Sequence, residues 1–513
     1  MSRSEFKIDE KGIGTLYVDG KPFFMHSGEI HNSSSSSLAE MENQIWPQVR
    51  ELNLNSLIVP IYWECIEPKE GKFDFKLIDG IIKQARKENT KLVFLWFGLW
   101  KNAESMYTPI WIKTDSKKFF LAEKINGDKI NTVSPLCKDA VAADKKAFAA
   151  IMSHIKSIDE KECTVIAIQV ENEIGLLGTA RDYSAAANQQ FEAYIPAEIA
   201  NLYNVSGTWK DAFGDDAEEF FMAYYFAMAV EEITKAGQNE YNIPCYTNAW
   251  LKQYPWFPGS YPSGGPNKSV HKIWKTMAPS LFTLAPDVYV PYCADVMDEY
   301  ATEDNALFIP EIRKDAVASS YALYAQLHHN AVCFSPFGIE ELSIDPELVD
   351  KPPMEVMIAL NIDPSAFDTR GSKEALSATY KLLDELEPLY LKYRGTNKLQ
   401  SFVRHGENDY GCFVRCGEYN FKVGYSPRMS GKPLGSFSVF ELADNKFLII
   451  GLECSVDFSV KVGENKNAGI LKFEAGHIEK GQFISDKLLN GDEKMAIRCG
   501  SIPSVYMLEL YKY

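Results

Sequence analysis

The chain has 513 residues, 53 of them basic against 70 acidic, and a formal net charge of −17. That length exceeds what one hydrophobic core usually holds, so a large unit with a smaller appendage is expected, and 46% hydrophobic with 13% aromatic content excludes disorder as a bulk description. An acidic surface of this strength repels nucleic acid and anionic membrane and suits neutral or cationic ligands.

Taken from the start, Met1 to Glu10 lacks the apolar core of an export leader, and no later segment runs about 18 apolar residues without interruption. The expectation is a soluble, cytoplasmic protein. The ten cysteines fit that setting. Cys65, Cys163, Cys245, Cys293 and Cys333 sit in apolar strand-like runs, and Cys412 and Cys416 lie roughly 13 Å apart along one strand, too far to bridge. Free, buried thiols in a reducing compartment are therefore expected. His26 and His31 read as polar pocket or packing residues, since no Cys/His spacing points to a metal site.

The stretch 16–24 reads as a hairpin with an Asp19-Gly20 turn, feeding a first strand over 23–29. Ser37-Leu38-Ala39-Glu40 is a capping box that opens a helix through Leu52, so the serine run 33–37 is read as a strand-to-helix loop rather than a linker. Strands and helices then alternate. Residues 56–63, 91–97, 164–170, 244–248, 287–291, 306–310 and 331–335 read as strands two to eight, with helices over 77–88, 142–158 and much of 185–235. Such alternation predicts an α/β fold with a parallel sheet, and eight units predict a (β/α)8 TIM barrel with long loops.

A closing helix is expected over 373–391. From there the texture changes to short apolar runs, 411–415, 437–440, 446–450 and 505–510 among them, broken by Gly, Asn and Asp. That pattern predicts an antiparallel β-sandwich. The expected domains are a barrel with its N-terminal hairpin over 1–394 and a smaller C-terminal β-sandwich over 395–513, structural by default.

Two predicted strands lead into carboxylates. Ile168-Gln169-Val170-Glu171-Asn172-Glu173 closes the fourth and Phe308-Ile309-Pro310-Glu311 the seventh. A buried parallel strand that ends so delivers a charged group to the mouth of a barrel. Cleavage of a glycosidic bond needs two such groups: one carboxyl protonates the leaving oxygen while a second carboxylate attacks or stabilises the anomeric carbon. Asn172, beside Glu173, suits a hydrogen bond to a sugar 2-hydroxyl as charge develops. Either carboxylate alone is as readily a strand-end ion-pair partner; the pair, in this order, favours catalysis.

The stretches His26-Ser27-Gly28-Glu29-Ile30-His31, Tyr62-Trp63-x3-Glu67-Pro68, Gly71-Lys72-Phe73-Asp74-Phe75, Glu171-Asn172-Glu173-x-Gly175 and Pro310-Glu311 carry a family likeness. The chain resembles the retaining β-galactosidases of glycoside hydrolase family 35 over roughly residues 10–390, and its C-terminal region is similar to the small β domain of one bacterial branch. This resemblance implies an exo-β-glycosidase acting by double displacement, with Glu173 as general acid/base and Glu311 as nucleophile. Retention places the two carboxyl groups about 5 to 5.5 Å apart. Two departures leave the sugar open between galactoside, glucoside and xyloside. The family's Trp-Asn-x-His-Glu-Pro is here Trp63-Glu64-Cys65-Ile66-Glu67-Pro68, which also resembles family 42, and its Ala-Glu-Trp segment, which helps hold galactose hydroxyls, is replaced by Trp96-Phe97-Gly98-Leu99-Trp100-Lys101-Asn102.

Further candidates for sugar contacts are Trp63, Trp100, Asn102, Trp250 and Tyr289. Trp100 and Trp250 offer faces to a sugar's apolar side or simply wall a pocket, and Asn102 offers an amide or is only a turn residue. Tyr289 either donates its hydroxyl to Glu311, keeping it ionised and oriented, or packs in the core. Glu340 and Glu341, beyond strand eight, are rim acceptors or solvated. No metal or other cofactor is implied, because the two carboxylates supply acid, base and nucleophile. The expected partner is a carbohydrate, with no nucleic acid or membrane and a homo-oligomer left open. A non-catalytic sugar-binding protein on the same frame is the rival reading.

Overall fold

The structure, a computed structural model, describes residues 4–513; Met1, Ser2 and Arg3, part of the segment read above as free of a leader core, lie outside them. Ser4–Ile8 pairs antiparallel with Gly14–Val18, which turns through Asp19 and Gly20, both at positive φ, into Lys21–Pro22. Eight parallel strands follow. In chain order they are Met25–His26, Ser56–Tyr62, Lys91–Lys101, Val165–Asn172, Cys245–Trp250, Leu281–Val288, Phe308–Ile312 and Cys333–Pro336. Their hydrogen-bonded order runs from the first through the eighth and back down to the second.

The ring closes at Glu29, whose backbone bridges in parallel to both Ile58 and Phe337. There Ile58 N donates to Gly28 O and Glu29 N to Pro336 O, each at 2.9 Å. Strands two, four and seven are buried at every residue, as their β-branched and apolar runs require when helices cover the outside and side chains fill the inside. The alternation read from sequence thus closes into the (β/α)8 barrel it predicts.

Strand six is displaced from its expected place at 287–291 and occupies Leu281–Val288. Pro286 hid it, because a proline argues against a central strand; here it sits in register with Ala249 of strand five. The expected 38–52 helix starts with Ser37 Oγ accepting from Glu40 N, but a π turn, Met41–Ile45, divides it. Cys65 is exposed rather than buried, since strand two gives way at Trp63 to a short helix, Trp63–Ile66.

Helix Ser372–Tyr393 leads into two antiparallel sheets of six and four strands. Strand Lys446–Leu452 explains how they attach. Phe447 and Ile449 enter the core between the two sheets, while Leu448 and Ile450, on the opposite face, join the core that continues into the barrel. Among the described residues no helix is long and apolar enough to cross a membrane.

Candidate active site

Glu173, just past strand four, and Glu311, on strand seven, line one cavity of about 300 Å³, at the small end of the range for ligand pockets. Lys101 and Asn102 from strand three, Trp250 from strand five, and Asp287 and Tyr289 from strand six and its end complete the inner wall. Leu360, Ile362 and Phe367, in the loop after strand eight, form an apolar side.

The backbone that presents Glu173 is held in a costly conformation. Glu171 and Glu173 have φ of +63° and +44°, values that cost a non-glycine residue on the order of 1–3 kcal/mol and persist only where neighbours enforce them. Here Glu173 N donates to Asn248 Oδ1 at 2.8 Å, Asn102 N donates to Asn172 O at 3.1 Å and Ala103 N to Glu173 O at 3.0 Å. The turn after strand three is folded over the end of strand four, with Asn102 and Ala103 themselves at φ of +51° and +58°.

Burial pushes the Glu173 carboxyl up to about 7, with the charge of Glu311 adding to the rise and Lys101 opposing it. Glu311 accepts a hydrogen bond from the Tyr289 hydroxyl, Oη to Oε1, at 2.6 Å. Asp287 lies in register with Glu311 on the neighbouring strand and accepts from Asn248 Nδ2 at 2.6 Å. Burial and the charges of Glu311 and Glu173 raise its carboxyl well above the ordinary range. Glu29, buried beside them, is raised in the same way by burial and by Glu311, with Lys101 opposing. Glu173, Asp287 and Glu29 are therefore all driven toward their neutral forms.

Of the side chains singled out from sequence, the structure brings Glu173, Glu311, Tyr289, Asn102 and Trp250 to this cavity. Trp63 and Trp100 are corrected. Trp63 is fully buried, and its Nε1 donates to Glu67 Oε2 at 2.8 Å while Gly71 N donates to Glu67 Oε1, so the Trp63-x3-Glu67 spacing builds a turn rather than a sugar contact. Trp100 is equally buried, with Nε1 donating to Val133 O at 2.9 Å and its ring set edgewise against Phe226. Asn172 stands behind the wall: its Nδ2 donates to Asn102 Oδ1, and its Oδ1 accepts from Gln169 Nε2 and Asn248 Nδ2, all at 3.1 Å. Glu340 accepts from His31 N and Ser34 Oγ, and Glu341 pairs with His31 and Lys314, bracing the rim. His26 bonds Asp384 and Gln326, a packing role.

Glu29 and Lys101 lie in stretches quoted from the sequence, but neither they nor Asp287 were given a role there. Each stands on or just past a predicted strand, which was the available signal, but only the closed ring brings strands one, three and six to the same point.

Two carboxyl groups delivered to one cavity at the ends of barrel strands are the pair that cleavage of a glycosidic bond needs. Residues 15–257 match the model of glycosyl hydrolases family 35, and residues 376–498 match a domain of unknown function, DUF5597. Glu173 falls inside the first match; Glu311 and the last three barrel strands lie beyond it. Beta-galactosidase 11 of Arabidopsis thaliana is 29% identical over 117 residues, 20% of this chain and 14% of that protein. A β-galactosidase of Xanthomonas manihotis is 26% identical over 182 residues, 34% of this chain and 27% of that protein. The matched part thus spans about a quarter or less of these relatives' length. Among solved structures, the β-galactosidase of Marinomonas ef1 gives a TM-score of 0.46 at 11% identity, covering 69% of this chain and 65% of that one. The catalytic domain of a Paenibacillus polymyxa β-amylase gives 0.47 at 9%, covering 66% and 97%.

Proposed function

We propose that the chain is a retaining exo-β-glycosidase whose first substrate to test is a terminal β-D-galactoside, with Glu173 as general acid/base and Glu311 as nucleophile. One observation carries this reading: two carboxyl groups line one cavity, Glu173 pushed up to about 7 by burial and Glu311 held by a hydrogen bond from the Tyr289 hydroxyl.

Protonated Glu173 donates to the aglycone oxygen while Glu311 attacks the anomeric carbon, and the glycosidic C–O bond breaks. Water then enters, Glu173 takes its proton, and the glycosyl–Glu311 ester is hydrolysed with net retention. The cavity's small volume supports cleavage of a single terminal sugar. Lys101 and Asn102 stand where family 35 has its Ala-Glu-Trp segment, which supports testing glucoside and xyloside beside galactoside. The relatives' names support the galactoside first. Residues 1–394 and 395–513 are its two domains in this reading, its partner a carbohydrate, its compartment the reducing cytoplasm in keeping with eight buried cysteines among ten.

The test is hydrolysis of p-nitrophenyl β-D-galactoside, β-D-glucoside and β-D-xyloside by the wild type and Glu311→Gln. Turnover of the galactoside, lost in the variant, is expected. Turnover of another glycoside alone keeps the mechanism and replaces the sugar; binding of sugars without any turnover would favour the non-catalytic reading.

A further inference from the structure

We propose that Arg428, in the C-terminal β region, is a positioning residue for the nucleophile, acting through the loop that forms the apolar side of the cavity; this rests on the glycosidase reading above. Asp363 and Ser365, at the start of a 3-10 turn ending at Phe367, are gripped from two directions. From the barrel, Arg313, two residues past Glu311 and fully enclosed, donates from Nη1 to Asp363 Oδ2 at 2.8 Å and from Nη2 to Ser365 Oγ at 2.7 Å. From the β region, Arg428 Nη2 donates to the same two atoms, at 3.2 Å to Asp363 Oδ2 and 2.8 Å to Ser365 Oγ.

Charge explains why two arginines are needed. Arg313 also forms a bidentate pair with Asp315, so one buried cation faces two carboxylates. Arg428 supplies the second cation and balances the cluster. A neighbouring contact fixes the register of the two segments: Arg370 Nη2 donates to Ser430 Oγ at 2.7 Å, and Ser430 Oγ donates to Asp368 Oδ2 at 2.5 Å. Gly371, at φ +65°, passes so close to Gly431 that a Cβ there would meet Gly431 O at 2.2 Å.

The gripped segment ends on the reacting group. Asp363 N donates to Tyr289 O at 3.0 Å. Phe367 lies nearly parallel to the Tyr289 ring, centroids 6.1 Å apart and planes at 13°. Tyr289 in turn holds Glu311. Arg428 thus steadies, through Asp363 and Phe367, the tyrosine that orients the nucleophile. In this account the β region is part of the active-site scaffold.

The experiment compares wild type, Arg428→Ala, Arg428→Lys and the surface control Lys461→Ala, whose side chain pairs with Glu418, each with and without Phe367→Ala. Arg428→Ala is expected to lower kcat about tenfold and to change KM little, with Arg428→Lys recovering part of the loss. In the Phe367→Ala background the same change is expected to cost almost nothing more, because both act through one path. Unchanged kcat, or an equal loss in the Phe367→Ala background, would overturn the proposal. Should the wild type hydrolyse no glycoside, the glycosidase reading fails, and amide hydrogen exchange decides the clamp by itself. Faster exchange at residues 363–368 in Arg428→Ala than in Lys461→Ala supports it, and equal exchange contradicts it.

Discussion

Tyr289 and Glu311 stand on neighbouring strand ends with the phenol oxygen 2.6 Å from the carboxylate. Burial and the charge of Glu311 raise the Tyr289 hydroxyl well above its usual range, so it remains a donor throughout the working pH range. A hydrogen bond to the charged form of an acid stabilises that form. Tyr289→Phe is therefore expected to lower kcat by about 10- to 100-fold, since a hydrogen bond to a charged group contributes roughly 1.5–3 kcal/mol. Steady-state kinetics of the variant checks the loss.

Glu173 sets the basic limb of the pH profile. With its carboxyl pushed up to about 7, the proton needed by the leaving group is lost as pH rises through neutrality, so kcat/KM should fall above pH 7 or so. Glu173→Gln should erase that limb. Its loss of rate should be larger for alkyl or sugar leaving groups, which need the proton, than for nitrophenolate, which does not.

The same displacement has a consequence for stability. An ordinary glutamate in the unfolded chain ionises near pH 4.3, whereas folded Glu173 resists until about 7. Below the lower value both states hold the proton and the site costs nothing. Between the two, the unfolded state gains by ionising, and stability falls as pH rises, up to about 4 kcal/mol in full. Glu173→Gln should thus melt at a higher temperature than the wild type at pH 8, with the difference closing towards pH 4. Thermal unfolding at both pH values measures it, and a constant difference would contradict the assigned burial effect.

Two tryptophans should separate packing from binding. Trp100 is enclosed, and Trp100→Ala is expected to destabilise the fold by about 3–5 kcal/mol while KM of any surviving enzyme stays close to wild type. Trp250 lines the cavity; Trp250→Ala should leave the melting temperature nearly unchanged and raise KM about three- to tenfold. Steady-state kinetics alongside calorimetry distinguishes the two.

These cases also mark what the sequence carries. β-Branched runs ending in Glu173 and Glu311 could be read because a buried parallel strand leaves a local pattern that few other structures share. Strand six is placed late by the sequence, because Pro286 breaks that pattern while its register with Ala249 is visible only once strand five is in place. Trp63 and Trp100 were mistaken for sugar contacts because a core wall and a pocket wall select the same large aromatic side chain. Glu29, Lys101 and Asp287 escaped for the opposite reason: each is an unremarkable charge on its own strand, and their mutual effect exists only where three strands converge. Arg428 lies farther off still, since nothing near it in the chain records Asp363.

The most direct test of the central claim is to trap the glycosyl-enzyme with a 2-deoxy-2-fluoro-β-galactoside bearing a good leaving group, or the glucoside or xyloside if the hydrolysis panel selects it. Peptide mass mapping then locates the label. Stoichiometric labelling of Glu311, absent in Glu311→Gln, is the predicted result. Labelling of a different carboxylate, or turnover that yields the α-anomer first with no label at all, would contradict the assignment of Glu311 as nucleophile and with it the double displacement.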